Sequence, residues 1–101
     1  MRAQIKATGL KLTPAITDYI QAKLDMLDKY LVNQTVTNCD FEIALTTKHH
    51  QKGDIFQAEI NLVLAGEHIF IQKTEADLYK AIDKVKDHVL ESIKKYKDKR
   101  S

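Results

Sequence analysis

The sequence predicts an α+β domain: a two-layer sandwich in the order β-α-β-β-β-α, with a four-stranded mixed sheet and two helices on one of its faces. Three observations carry this. Met1 to Ala7 and three segments between Val36 and Lys73 alternate apolar with polar residues, the period-two signature of strands with one buried side. Two further segments repeat their apolar residues at helical spacing. Each element has a single apolar face, so both helices must cover the same side of the sheet and leave the other side to solvent.

In order along the chain, Ala3, Ile5 and Ala7 alternate with Arg2, Gln4 and Lys6 in the first strand, and Gly9 ends it. Thr13-Pro14 reads as an N-cap followed by proline at the first helical position, where its missing N–H is harmless. The first helix is predicted from Pro14 to about Leu31, with Ile16, Ile20, Leu24, Leu27 and Leu31 as its core stripe and Asn33 as a stop. The second strand runs Val36 to Thr47 with Cys39, Phe41, Ile43 and Leu45 inward. A polar turn from Lys48 to Asp54 leads to a third strand through Phe56, Ala58, Ile60, Leu62 and Leu64. Ala65-Gly66-Glu67 turns tightly into a fourth strand, His68 to Lys73. Thr74 with Asp77 resembles a capping box opening a second helix, in which Leu78, Ile82, Val85, Val89, Ile93 and Tyr96 keep a helical repeat almost to the end of the chain. The first two strands, joined by a helix, should be parallel; strands two to four form an antiparallel meander.

At 101 residues the chain is one domain, with the last few residues expected as a flexible basic tail; 44% apolar and 30% charged residues are ordinary globular values. No apolar run suits a bilayer and no leader opens the chain, so a soluble, intracellular, cytoplasmic protein is expected. The single Cys39 makes neither an internal disulfide nor a structural zinc site. A core of this size leaves little room for a deep catalytic cavity, which favours a binding module over an enzyme.

The net charge of +2 says little, but its distribution says more: residues 73–101 carry nine Lys or Arg against six Asp or Glu. The dense run is Lys94, Lys95, Lys97, Lys99 and Arg100, faced only by Asp98, and a polyanion is its natural partner. The plainer alternative is a solvated helix end whose lysines complement the helix dipole. On a helical wheel Lys80, Lys84, Asp87, Glu91 and Lys95 lie opposite the apolar stripe with Lys94 beside them, a mixed face that local i,i+4 ion pairing such as Glu91–Lys95 also explains. In the first helix, Asp18, Asp25 and Asp28 lie outside, whereas Tyr19, Lys23, Met26 and Tyr30 follow one flank of the stripe, with Lys29 further round. If that flank faces the valley between the helices, Lys23 and Lys29 join the second helix's lysines around a positive groove. Otherwise the tyrosines are peripheral core with Lys23 lying over them.

Neither a metal nor a cofactor is expected. His49 and His50 are adjacent in a turn, His68 and His88 are isolated, and Cys39 is on the buried side of its strand. No Ser-His-Asp grouping, Gly-rich phosphate loop or segregated carboxylate pair points to catalysis.

Two stretches resemble the ribosome hibernation promoting factors and ribosome-associated inhibitors, formerly grouped as sigma-factor modulation proteins. One is Ile5-Lys6-Ala7-Thr8-Gly9 with Leu12-Thr13-Pro14-Ala15-Ile16, Tyr19-Ile20, Lys23-Leu24 and Leu27. The other is Asp77-Leu78-Tyr79-Lys80-Ala81-Ile82-Asp83, then Asp87 and Lys94-Lys95-Tyr96-Lys97-Asp98-Lys99. The resemblance implies a double-stranded-RNA-binding-like fold seated on small-subunit rRNA in the messenger channel, blocking messenger and A- and P-site transfer RNA in stationary or stressed bacterial cells. It implies a short form, monomeric off the ribosome, that acts with a separate ribosome modulation factor. The family's basic positions fall on Lys23, Lys29, Lys94, Lys95 and Lys97. Where relatives commonly place Lys, Arg and Gln in mid-helix, this chain has His88, Glu91 and Ser92, and Lys80, Lys84 and Lys86 are candidates to compensate. Lys99 and Arg100 complete the candidate rRNA-binding set. The competing reading is a protein-interaction module that docks a partner on its open sheet face, around Glu59 and Asn61, or on its fourth-strand edge. A small enzyme built on the His49-His50 turn is a third.

Overall fold

The computed structural model describes residues 1–46 and 53–100. Its elements are β1 (Gln4–Thr8), α1 (Pro14–Asp25), a 3-10 turn (Asp28–Tyr30), β2 (Val36–Thr46), β3 (Ile55–Leu64), β4 (Glu67–Glu75) and α2 (Leu78–Arg100). The sheet order is β1-β2-β3-β4, with β1 and β2 parallel and the other pairs antiparallel, as the alternation predicts. Residue Thr47 of the predicted second strand and the His49-His50 turn lie outside the described residues.

The inward positions of the sheet, including Phe41, Ile43, Ile60 and Leu62, form one core with Ile20, Leu24, Leu27 and Leu31 from the first helical segment and Ile82, Val85, Val89 and Ile93 from α2. Burial pushes the Cys39 thiol up to about 11, so it stays protonated at neutral pH. Gly9 is in the left-handed region at φ +78°, and a Cβ there would stand 3.0 Å from the Leu45 carbonyl oxygen, so both conformation and space require glycine where β1 turns away from β2.

Three predicted boundaries are corrected. The first strand begins at Gln4, not Met1, and ends at Thr8. The first helix does not run unbroken to Leu31. After Asp25 the bonding tightens, Leu27 N–H donating to Leu24 O at 3.0 Å, Tyr30 to Leu27 at 3.0 Å and Leu31 to Asp28 at 3.0 Å. Tighter winding brings side chains at i and i+3 into line. Asp25 and Asp28 thereby meet on the Met1 ammonium, at 3.4 and 2.8 Å, while Leu27 and Leu31 stay buried. Asn33, at φ 67°, ends the segment. Nor is Thr74 the cap of α2: it still pairs with Gln57 in the β3–β4 ladder. Asp77 caps instead, accepting from the backbone N–H of Tyr79 at 2.8 Å and Lys80 at 3.4 Å.

Where the sequence suggests a loose basic tail, α2 remains helical through Arg100. Its end is held to the β3–β4 turn, since Tyr96 Oη and Arg100 Nη1 both donate to the Ala65 carbonyl, at 2.7 and 3.2 Å. At 23 residues α2 is about 35 Å long, a rigid rod on which lysines keep fixed separations.

Candidate nucleic-acid interface

The Tyr19, Lys23, Met26, Tyr30 flank faces α2. Near the N-terminus of α2, Tyr19 Oη donates to Asp83 Oδ1 at 2.7 Å, Lys23 Nζ sits 3.2 Å from the same oxygen, and the Tyr19 and Tyr79 rings meet edge to face at 4.7 Å. This explains the run Asp77 to Asp83: Asp77 caps, Leu78, Ala81 and Ile82 are buried, Tyr79 stacks, and Asp83 clamps α1. The hydrogen bond to Asp83 raises the Lys23 ammonium above its ordinary pKa and, together with burial, raises the Tyr19 phenol. Lys23 is therefore a helix-docking cation as well as a rim charge.

Replacing Tyr19 by Phe is expected to lower stability by about 1 kcal/mol, read from the urea midpoint, because the partner is charged but partly exposed. The raised phenol sets the sign with pH: this contribution is complete at neutral pH and is lost only as pH rises beyond the phenol's ordinary value of 10.0.

Further along the valley, the 3-10 turn and α2 enclose a groove of about 320 Å³, with Met26, Leu27, Tyr30 and Leu90 as an apolar floor and Lys29 and Lys86 on its walls. Lys29 and Lys94 approach the Tyr30 ring from the turn and from α2, with Nζ 5.3 and 5.6 Å from its centroid, so one aromatic ring orients both. Lys86 lies 2.7 Å from Asp87 but keeps its place in the groove wall. Lys97, three helical turns beyond Lys86, shares its flank. The aspartates largely turn elsewhere: Asp28 is committed to the Met1 ammonium, and Asp25 to that ammonium and Gln21, although Asp25 also touches the groove.

The candidate cations thus divide. Lys23, Lys29, Lys86, Lys94 and Lys97 border the valley. Lys84 pairs with Glu75 of β4 on the far flank, which it shares by helical phase with Lys95 and, a turn on, Lys99. Lys80 stands outward one turn before Lys84, and Arg100 lies over Tyr96, its Cζ 5.3 Å from the ring centroid. Lys80 and Lys84, four residues apart, share an exposed side of α2, and of the two it is Lys84 that pairs with Glu75 of β4. Asp83, Tyr79 and Leu90 are absent from a reading based on charge, yet their phase was available: residues 79, 83, 86, 90, 94 and 97 follow one another at three- and four-residue steps. No group of three or more metal-ligating side chains exists among the described residues, and no described helix is long and apolar enough to cross a membrane.

The family model described as "Sigma 54 modulation protein / S30EA ribosomal protein" matches residues 3–101. The chain belongs to this family. It is 29% identical over 100 residues to a ribosome hibernation promotion factor of Picosynechococcus, covering 98% of this chain and 50% of that protein. With the Deinococcus radiodurans protein of the same name it shares 27% over 95 residues, 93% of this chain and 48% of that one. The chain therefore spans about half the length of the curated relatives it matches. Among solved structures, the Thermus thermophilus Protein Y N-terminal domain superposes with a TM-score of 0.74 at 30% identity, over 95% of this chain and 99% of that one. A ribosomal subunit interface protein from Coxiella burnetii has the same fold, with a TM-score of 0.78 at 20% identity, over 97% and 99% of the two chains. In this member of the S30EA family, part of the resembling stretches, Tyr19 and Lys23 with Tyr79 and Asp83, docks α2 on α1.

Proposed function

We propose that residues 1–101 form a single ribosome-binding domain that acts in the cytoplasm as a ribosome hibernation factor. It binds the small subunit in the messenger channel and decoding region, excludes messenger and A- and P-site transfer RNA, and silences translation. The observation that carries this reading is the convergence of Lys29, Lys86 and Lys94 on one aromatic-floored groove between rigid helices. Family membership supplies the ribosome as the polyanion.

Contacts of this kind fall on phosphates and 2′-hydroxyls and read the shape of folded RNA rather than its sequence. No catalytic step is needed, because a folded domain in a channel built for single-stranded RNA excludes messenger by volume. A separate modulation factor would be required only for gathering ribosomes into dimers, and the factor itself is monomeric off the ribosome. His88, exposed on α2, and Glu91, exposed on its outer side, are not among the residues lining the groove, so their replacement of the family's usual residues leaves the valley intact.

Co-sedimentation of the purified protein with small subunits across a salt series tests this. With about five phosphates neutralised by the valley lysines, log K should fall against log salt with a slope of about −3.5 to −4.5. Binding that ignores salt, or protection of rRNA from chemical probing anywhere but the decoding region, overturns the reading.

A further inference from the structure

The face of the sheet away from the helices is unpartnered, and its register places its side chains in rows. One row reads Gln4, Asp40, Asn61, Phe70 across the four strands; the next reads Lys6, Glu42, Glu59, Gln72. Two features of this lattice oppose folding economy. Phe70 is 54% exposed at the centre of an edge strand, where a polar residue would serve. Glu42 and Glu59 stand directly opposite each other in the antiparallel ladder, an arrangement in which like charges destabilise. Local rules broken together at one place mark a surface selected for something other than stability.

The chemistry there is specific. Asp40, Glu42, Glu59, Asn61 and Phe70 border a depression of about 220 Å³, with Lys6 at its β1 side. The three carboxylates are hydrogen-bonded by neutral donors: Asp40 by Asn38 at 2.7 Å, Glu42 by Thr8 at 3.0 Å and Glu59 by Gln72 at 3.2 Å. Among the described residues none of the three has an ion-pair partner, Lys6 included. Each therefore keeps acceptor capacity, and three carboxylates against Lys6 leave the depression net negative beside an exposed aromatic ring. A guanidinium satisfies all of this at once, since it is planar, stacks on a ring face and donates in a fork to carboxylates, whereas an ammonium does only part of it.

We infer that this depression is a docking site for an arginine side chain of a basic protein segment, with Phe70 as the stacking platform and Asp40, Glu42 and Glu59 as acceptors. The site lies on the opposite side of the molecule from the cationic valley, so a polyanion and a basic polypeptide are held by different faces simultaneously. This goes beyond the hibernation reading and stands whether or not the valley binds rRNA.

The test is an NMR titration of the full chain at low salt with an acetylated Arg-Gly-Arg-Gly-Arg peptide and its lysine counterpart. The arginine peptide should shift amides of residues 38–44, 57–63 and 68–74 while leaving α2 unmoved, and should bind about three- to fivefold more tightly than the lysine peptide. Phe70→Thr, which keeps a strand-forming residue, should abolish the arginine preference, and Glu59→Gln, which keeps the shape, should weaken both peptides severalfold. Because Glu59→Gln also removes a like-charge pair, it folds at least as stably as the parent and keeps the test decisive if Phe70→Thr does not fold. Equal binding of the two peptides, shifts confined to Asp25 and Asp28, insensitivity to Glu59→Gln, or a face that responds only to self-association would each overturn the inference.

Discussion

Reversing Lys29 and Lys94 together to glutamate is expected to weaken association with small ribosomal subunits at 0.1 M salt by about a hundredfold or more. Each lysine removed deletes one phosphate contact and reduces the salt slope by about 1, and each glutamate added turns attraction into repulsion at the same spot. The pair is chosen because both side chains converge on Tyr30, so the two reversals act on one stretch of RNA backbone. Stability should change little, since both residues are exposed.

The same substitution at Lys84 and Lys95 is the contrast. Those residues lie on the β4 flank, across a helix about 10 Å in diameter, and a Debye length of about 10 Å at 0.1 M screens most of their influence on the valley. Their reversal should reduce affinity by no more than about fivefold. Filter binding or co-sedimentation of the two double variants in parallel decides the matter. Equal losses would show that net charge governs binding and that the groove geometry is incidental.

The layers, strand order and apolar faces were legible in the sequence because burial is written as periodicity, and the period survives any detail of packing. Cys39, Phe41 and Ile43 alternate as their burial requires, and Ile82, Val85, Val89 and Ile93 recur as theirs does. What was not legible depends on contacts between distant parts of the chain. Nothing near Asp25 signals that the helix tightens there, and the Met1 ammonium that Asp25 and Asp28 share lies 24 and 27 residues away in the chain. Thr74 and Asp77 both look like caps, and what decides between them is that Thr74 pairs with Gln57 in the sheet while Asp77 accepts from the Tyr79 and Lys80 amides. For the candidate interface, charge density singled out the C-terminal lysines. Their division between two flanks emerged only once Glu75 was seen to hold Lys84 and Tyr30 to gather Lys29 and Lys94.

Leu27→Ala is expected to cost about 2–5 kcal/mol, the largest loss of stability available next to the interface. Leu27 is fully buried and lies under the groove floor, between the end of α1 and the 3-10 turn that carries Lys29 and Tyr30. Removing its side chain loses the transfer energy of the buried methyl groups and leaves a cavity that a tightly wound segment, pinned by the Met1 ammonium at one side and Asn33 at the other, closes poorly. A domain of this size has only about 5–15 kcal/mol in total, so the urea midpoint should fall visibly while the slope of the transition stays unchanged. Because the segment also sets where Lys29 meets Lys94, the variant should lose ribosome affinity even at temperatures where it remains folded. Ile69→Ala, at a core position on β4 on the far flank of α2, should show a stability loss without that defect. If both variants lose affinity equally when fully folded, the position of the 3-10 turn does not govern the interface.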